Sequence, residues 1–236
     1  MRRRKLGQHY LVDQNIARRV VKEAAIRPDE KVLEIGTGHG ILSRELAGLG
    51  SSFEGFEVDR SNYEDTVAAV GEGAKIHLGD AFEHRPDFDV LVASLPYSES
   101  ATFIEWLNLV DYDRAVVLLQ EEFIRKIQAV PGTRDYRAIS VLTQISSDVE
   151  PLWRIGRSSF SPPPRVNSLV VSFVPKLRIP PSEVLKIKLL FSQRRRRVSS
   201  VVTKFGMVAK EDYGTRRVYS ITPEEAHRLC SFTSTA

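Results

Sequence analysis

The residues with the clearest chemical potential are Ser94-Leu95-Pro96-Tyr97, which close an apolar run over residues 88–93 and lie 58 residues beyond a glycine turn that starts at Gly36. A proline-tyrosine step at the mouth of a buried strand can offer backbone carbonyls and a ring to a flat base. The glycine turn, Gly36-Thr37-Gly38-His39-Gly40, lets a nucleoside cofactor approach the backbone with no Cβ in the way. Glu57, 21 residues after Gly36, is spaced to accept hydrogen bonds from both ribose hydroxyls, and Asp80 can take an adenine amine. Together these residues point to transfer of a methyl group from a nucleoside donor to an amine.

Such residues need a scaffold that gathers them. Val32-Leu33-Glu34-Ile35 reads as a short buried strand, the glycine turn ends it, and Ile41, Leu42, Leu46 and Leu49 then recur at helical spacing. Further strands are expected over residues 53–58, 76–78, 90–93 and 115–119, with crossover helices around 63–70 and 102–110. Residues 138–145 read as a helix and 169–173 as a strand returning to the sheet. The alternation predicts an α/β fold with a mainly parallel sheet and helices on both faces. Ligands of such sheets bind beyond the C-terminal ends of the strands, where Gly36, Glu57 and Asp80 fall. After Pro175 the texture changes. Pro180-Pro181 marks a joint, and short helices are expected from near Glu183 and near Pro223, the second with Thr222 as N-cap and Glu225 completing a capping box. Two domains follow: residues 1–175, and a small C-terminal helical domain of residues 176–236.

The chain has 236 residues, 42% of them hydrophobic, enough for one substantial core and a smaller one. Its net charge of +4 hides a strong asymmetry: residues 1–27 carry +6 and 154–217 carry +12, whereas 28–153 carry −13. A basic run more often solvates an exposed helix, but segregation on this scale signals a phosphate-bearing partner, nucleic acid foremost. No stretch approaches the ~20 apolar residues that cross a bilayer, and the basic N-terminus lacks the apolar run of a signal peptide. A single cysteine, Cys230, and the lack of CxxC or HExxH spacing leave no internal disulfide or sequence-evident metal cluster. The expectation is a soluble, cytoplasmic protein with no membrane partner and no metal.

The glycine turn with Glu34 before it reads E-x-G-x-G-x-G, which looks like the first motif of class I (Rossmann-like) methyltransferases and differs from the dinucleotide G-x-G-x-x-G. Lys5-Leu6-Gly7-Gln8-His9-Tyr10-Leu11 resembles the N-terminal motif of the ribosomal RNA small-subunit adenine dimethyltransferases, in their archaeal and eukaryotic-like branch. Phe160-Ser161-Pro162-Pro163-Pro164-Arg165-Val166-Asn167-Ser168 resembles that family's late proline-rich motif, and Phe191-Ser192-Gln193-Arg194-Arg195-Arg196-Arg197 its basic C-terminal helix. With the glycine turn, the acidic pair and the Leu-Pro-Tyr step, the similarity spans nearly the whole chain in order.

The resemblance implies that His9, Leu11, Gly36, Gly38, Glu57, Asp80 and Ser94 bind S-adenosylmethionine, His9 standing where asparagine is often found. Tyr97 and Phe160 would sandwich a flipped adenine, a contact worth roughly 1 to 3 kcal/mol per base. Arg2, Arg3, Arg4 and Lys5 form a basic arm, and Arg194, Arg195, Arg196 and Arg197, if helical, would line an RNA groove from several sides. The implied reaction is dimethylation of two adjacent adenines in a hairpin near the 3′ end of small-subunit ribosomal RNA, by a monomer acting on a pre-small ribosomal subunit. Because the sulfonium donor brings the reactivity, the protein must desolvate the adenine amine, align it and accept its protons. Family members do this with an asparagine oxygen and a backbone carbonyl, here that of Leu95.

Ser94 stands where that asparagine is expected. Its hydroxyl can accept a hydrogen bond but falls short by about 1.3 Å unless the loop advances or a water bridges. Losing one acceptor would cost about 1 to 3 kcal/mol, with the first methylation suffering more because a monomethylated amine has one proton left to be accepted. Two neighbouring readings share the same motifs: a large-subunit methylase of the macrolide-resistance type, and a ribosome-assembly factor that keeps the fold but has lost efficient catalysis. A nicotinamide dehydrogenase does not fit the glycine spacing and would leave the Leu-Pro-Tyr step without a role.

Overall fold

The computed structural model describes residues 8–49, 51–71, 74–209 and 211–231. The basic arm Arg2, Arg3, Arg4 and Lys5 lies outside the described residues. In chain order the elements are β1 (Tyr10–Leu11), α1 (Gln14–Glu23), β2 (Lys31–Ile35), α2 (Ile41–Ala47), β3 (Ser52–Glu57), α3 (Arg60–Val70), β4 (Lys75–Leu78), β5 (Val90–Ser94), α4 (Ser100–Leu107) and β6 (Arg114–Gln120). They continue as α5 (Glu121–Ile127), α6 (Ala138–Ser146), β7 (Ser147–Ile155), β8 (Phe160–Ser161), β9 (Ser168–Pro175), α7 (Pro181–Ser192), α8 (Val198–Lys204) and α9 (Pro223–Ser231).

Seven strands form one sheet in the order β4-β3-β2-β5-β6-β9-β7. The pairings β4-β3, β3-β2, β2-β5 and β5-β6 are parallel, and β9 returns antiparallel to β6. The central strands are apolar on both faces because helices cover both: Val90, Leu91, Val92 and Ala93 are all fully buried. β2 and β5 are neighbours in the sheet, so the glycine turn after the first and the Ser94 step after the second open on the same edge. The order reverses between β2 and β5, the place where open sheets leave a crevice for a ligand.

Three strands, β1, β7 and β8, escaped the sequence reading. β7 carries Asp148, Glu150 and Pro151 and is mostly solvent-facing, so no apolar run marks it, and as an edge strand it tolerates proline. β1 is two residues long and exists only through its antiparallel partner β8, with Tyr10 opposite Ser161 and Leu11 opposite Phe160.

The chain divides into two compact units: the described residues up to Glu121 with Glu150–Pro175, and Glu122–Val149 with the described residues from Lys176 onward. A division into 1–175 and 176–236 would leave α6 in the first domain. Its apolar face, Val141, Leu142 and Ile145, instead shares a core with Ile187, Leu190 and Phe191 of α7 and with Ala226 and Leu229 of α9. Tyr136 seals that core, its ring edge-on to Phe191 and its hydroxyl donating to the Ile221 carbonyl at 3.0 Å. The capping box of α9 forms as expected, Glu225 N–H donating to Thr222 Oγ1 and Thr222 N–H to Glu225 Oε2.

At the N-terminal end of the sheet, Arg114 opens β6 with a bidentate pair to buried Glu30, at 2.9 and 2.7 Å, and also donates to the carbonyls of Ala24 and Ala25. One side chain thus ties the end of α1 to the entry of β2. The Arg114 hydrogen bonds hold the Glu30 carboxyl down to about 2, against the opposing effect of burial and with help from the Arg27 N–H. A depressed carboxyl stabilises the fold above its unfolded value of 4.5, and that stabilisation disappears as pH falls through about 2. Arg114→Met should destabilise the protein by about 3 kcal/mol at neutral pH, since it strands Glu30 in the interior. Denaturant unfolding followed from pH 7 downward should show the gap between the two proteins closing as pH falls and gone below about 2.

Candidate active site

β2 delivers the chain into a turn in which Gly36, Gly38 and Gly40 take φ of +76°, +57° and +76°. At Gly38 the positive φ coincides with crowding: a Cβ would lie 3.2 Å from the Tyr10 ring. A Cβ on Gly36 would lie 3.5 Å from the Ser94 carbonyl oxygen. The glycine turn therefore packs against β1 on one side and the mouth of β5 on the other. Glu57 fixes it from the tip of β3, Oε2 accepting from Gly38 N–H at 2.8 Å and Oε1 from Asp59 N–H at 2.9 Å. A carboxylate has about four acceptor sites, so Glu57 retains capacity for ribose hydroxyls while serving the backbone. Thr66 adds a second tie, donating to the Gly38 carbonyl and pairing with Thr37. Asp80 is exposed and accepts from Phe82 N–H through Oδ1.

Under the turn lies Glu34, fully buried. Its Oε2 accepts from Ser43 Oγ at 2.6 Å, whereas Oε1 has no partner among the described residues. Burial pushes this carboxyl up to about 8, the Ser43 hydrogen bond opposing and the charge of Glu57 adding to the rise. At neutral pH Glu34 is mostly protonated and can donate as well as accept. The sequence contained Glu34 as the first position of its glycine motif, but nothing there signalled that the carboxyl would be neutral.

β5 ends at Ser94, partly exposed, and a short 3₁₀ turn over Tyr97–Glu99 follows. The Pro96 carbonyl accepts from Glu99 N–H and that of Tyr97 from Ser100 Oγ, while no donor reaches the Leu95 carbonyl among the described residues. Tyr97 is half-buried, which raises its hydroxyl above the usual tyrosine value, and it shares a 2.9 Å hydrogen bond with Ser168 Oγ. The pairing of β1 with β8 brings His9 to the proline-rich motif, with His9 Nδ1 2.6 Å from the Pro162 carbonyl. A carbonyl only accepts, so Nδ1 carries the proton. The His9 ring lies 5.3 Å from that of Tyr97, tilted by 34°, which is direct contact and leaves no space for a base between them. Leu11 and Phe160, both 4% exposed, belong to the core of this unit. Leu11 therefore buries its side chain, and Phe160 presents little of its face in this conformation.

The arginine run departs from a basic helix. α7 stops at Ser192, Arg194 to Arg196 lie in turns, and Arg197 forms a β-bridge with Arg217. Arg194, Arg195 and Arg196 line a pocket of about 320 Å³ together with Ser192, Gln193 and Arg137. Arg137 lies at the N-cap of α6 and carries no motif that sequence reading could find. Arg197 is absent from that lining.

A model of the ribosomal RNA adenine dimethylase family matches residues 1–228. The chain belongs to this family. The probable ribosomal RNA small subunit methyltransferase A of Pyrococcus abyssi is 32% identical over 95% of this chain and 89% of its own length. That of Methanopyrus kandleri is 38% identical over 74% and 64%. The fold is shared with a crystal structure of a dimethyladenosine transferase from Plasmodium falciparum (TM-score 0.78, 22% identity, 94% of this chain and 96% of that one). It is also shared with the 23S rRNA methyltransferase ErmE (TM-score 0.67, 21% identity, 94% and 98%).

As a ribosomal RNA adenine dimethylase the protein is a methyltransferase whose cofactor is S-adenosylmethionine, which when bound supplies a methyl group activated by positive sulfur. The residues present fit it: a glycine cradle in which a Cβ at Gly38 would crowd the Tyr10 ring, spare acceptors on Glu57, and the buried Glu34 Oε1, unpaired among the described residues. The raised Glu34 carboxyl stabilises the fold below its unfolded value of 4.5, and this contribution is lost as pH rises towards and through about 8. Glu34→Gln, which keeps an acceptor for Ser43, should remove that loss. Thermal unfolding from pH 5 to pH 9 should show the dimethylase weakening by about 4 kcal/mol relative to the variant.

Proposed function

We propose that this dimethylase modifies two adjacent adenines in a hairpin near the 3′ end of small-subunit ribosomal RNA, acting as a cytoplasmic monomer on a pre-small ribosomal subunit. The observation that carries this reading is the convergence of β1, the glycine turn and the Ser94–Tyr97 step, three segments remote in sequence, in one cluster. The names borne by the archaeal relatives support the small subunit as the target.

In this reading Gly36, Gly38, Glu57 and Asp80 hold the cofactor, aided by His9, Leu11 and Ser94. Tyr97 stacks on the flipped adenine, its ring held by Ser168, and Phe160 completes the sandwich once the base has displaced the packing over it. The Leu95 carbonyl and the Ser94 hydroxyl accept from the amine and turn the nitrogen lone pair outward. Binding between the cofactor and the Tyr97 ring strips water from that amine, and no strong base is needed because the methylated nitrogen sheds its proton readily. RNA is gripped by Arg194, Arg195, Arg196 and Arg197 and by the N-terminal arm, through phosphates rather than base edges.

The direct test is incubation with labelled methyl donor and unmethylated small subunits, large subunits or naked ribosomal RNA, followed by mapping of the modified bases. Label on two adjacent small-subunit adenines is expected; label confined to large subunits, or none, would refute the proposal. In single-turnover measurements Ser94→Asn should speed the first methyl transfer by roughly 5- to 150-fold and the second far less. Equal acceleration of both steps would count against Ser94 as the weak acceptor.

A further inference from the structure

The pocket in the second unit is built as an anion seat. Four arginines from two segments of chain meet there because α6 and α7 pack through Val141, Leu142, Leu190 and Phe191, which sets the N-cap of α6 beside the C-terminal end of α7. Arg137 is held in place by its backbone, its N–H bonded to Ser140 Oγ at 3.0 Å. Arg195 and Arg196 are positioned by a turn locked to the segment that follows, Val218 N–H donating to the Arg196 carbonyl and Tyr219 N–H to that of Arg194. Arg194 points inward, its Nη2 donating to the carbonyls of Thr133 and Arg134 at 3.0 and 3.2 Å, yet its Nε is buried with no partner.

No carboxylate lines the pocket, and among the described residues neither Arg137, Arg195 nor Arg196 has an ion-pair partner. Burial depresses Arg194 below the usual guanidinium value, and Arg137 and Arg195 depress it further; Asp135 opposes them only weakly. Like charges held at close range cost free energy unless an anion answers them. The volume, about 320 Å³, is several times the ~30 Å³ share of one water and has room for a tetrahedral oxyanion. Guanidinium forks match such an oxyanion two bonds at a time.

We propose that Arg137, Arg195 and Arg196 form a seat for a single phosphate of the RNA backbone, with Arg194 as the positioning residue behind it. This rests on the enzyme acting on RNA, and it divides the arginine run: three members serve the seat, while Arg197, bridged to Arg217, does not. It also adds Arg137, which lies outside that run.

The test uses the full-length protein and two probes, inorganic phosphate and a synthetic hairpin of the small-subunit 3′ end. Phosphate should bind saturably in calorimetry at low ionic strength and compete with the hairpin, whereas chloride at equal ionic strength should do neither. Arg137→Gln should abolish phosphate binding, weaken the hairpin about 10-fold and reduce the salt slope by about 0.7 to 0.9, the increment for one phosphate. Lys204→Gln, an exposed cation outside the pocket, should change the hairpin affinity less than 3-fold. Cofactor affinity and unfolding midpoint, measured on each variant, report that the fold is intact. Phosphate binding no better than chloride, or equal effects of the two substitutions on hairpin affinity, would overturn the seat. So would phosphate that binds without displacing the hairpin, since the source would then be a free anion. If the seat behaves as expected but no adenine is methylated, the functional reading fails and the seat stands.

Discussion

Glu57 stands at the tip of β3 with both carboxylate oxygens committed to backbone, one to Gly38 N–H and the other to Asp59 N–H. A charged acceptor makes each of these bonds stronger than a neutral one would be, and burial strengthens them again. The consequence is mechanical. The turn after β2 and the entry to α3 cannot move independently, because the same side chain holds both. The parallel register of β2 and β3 carries Glu57 just beyond the last ladder pair, Ile35 opposite Phe56, so that it meets the turn at the point where its backbone turns left-handed. A glutamine there would keep an acceptor for one N–H and present an NH₂ group to the other, which is why a carboxylate is required even before any cofactor arrives.

The second constraint is the two-residue pairing of β1 and β8, which brings the N-terminal motif onto the proline-rich motif and sets His9 against Tyr97. Here sequence and structure part company in an instructive way. The strand, glycine turn and helix around Gly36 were legible because a run of apolar residues broken by glycines has few alternative readings, and Glu57 and Asp80 followed from strand ends. β1 was not legible as a strand, since two residues carry no periodicity. β7 was hidden by Asp148, Glu150 and Pro151, whose solvent-facing positions erase the apolar signal. The allegiance of α6 was equally invisible, because an amphipathic helix shows that it buries a face but not against what. Arg137 was lost for the same reason: its neighbourhood with Arg194 exists only through the packing of α6 on α7.

Ser94 gains a different weight in this setting. Its carbonyl already faces the glycine turn, at ordinary van der Waals distance from where a Gly36 Cβ would sit, and the ladder pairing of Ser94 with Leu118 fixes the backbone of the step in the sheet. The loop cannot readily advance to make up for a short side chain without pulling β5 away from β2 and β6. What remains variable is the side chain and any water beside it. The free Leu95 carbonyl, by contrast, is presented by the backbone itself and is indifferent to the residue at position 94. Under the proposed mechanism such a site would lose one acceptor and keep the other, and would be slower at the step that needs two.

The two units each contain an ionisable group with a buried, unpaired atom, Glu34 Oε1 in one and Arg194 Nε in the other. Their chemistry dictates opposite solutions. A carboxylic acid can escape the penalty of burial by keeping its proton, and Glu34 does so, its carboxyl pushed up to about 8. A guanidinium has no such escape, because even a depressed arginine remains charged at any pH where the protein is folded. The acid can therefore wait in a neutral state beneath the glycine turn, ready to donate or accept as the ligand requires. The arginine cannot wait in that way, and with Arg137 and Arg195 adding charge around it, the pocket is held in tension until an anion enters. Binding a phosphate there relieves a cost already incurred in folding, which is the most economical way for a small helical unit to gain affinity for a polyanion.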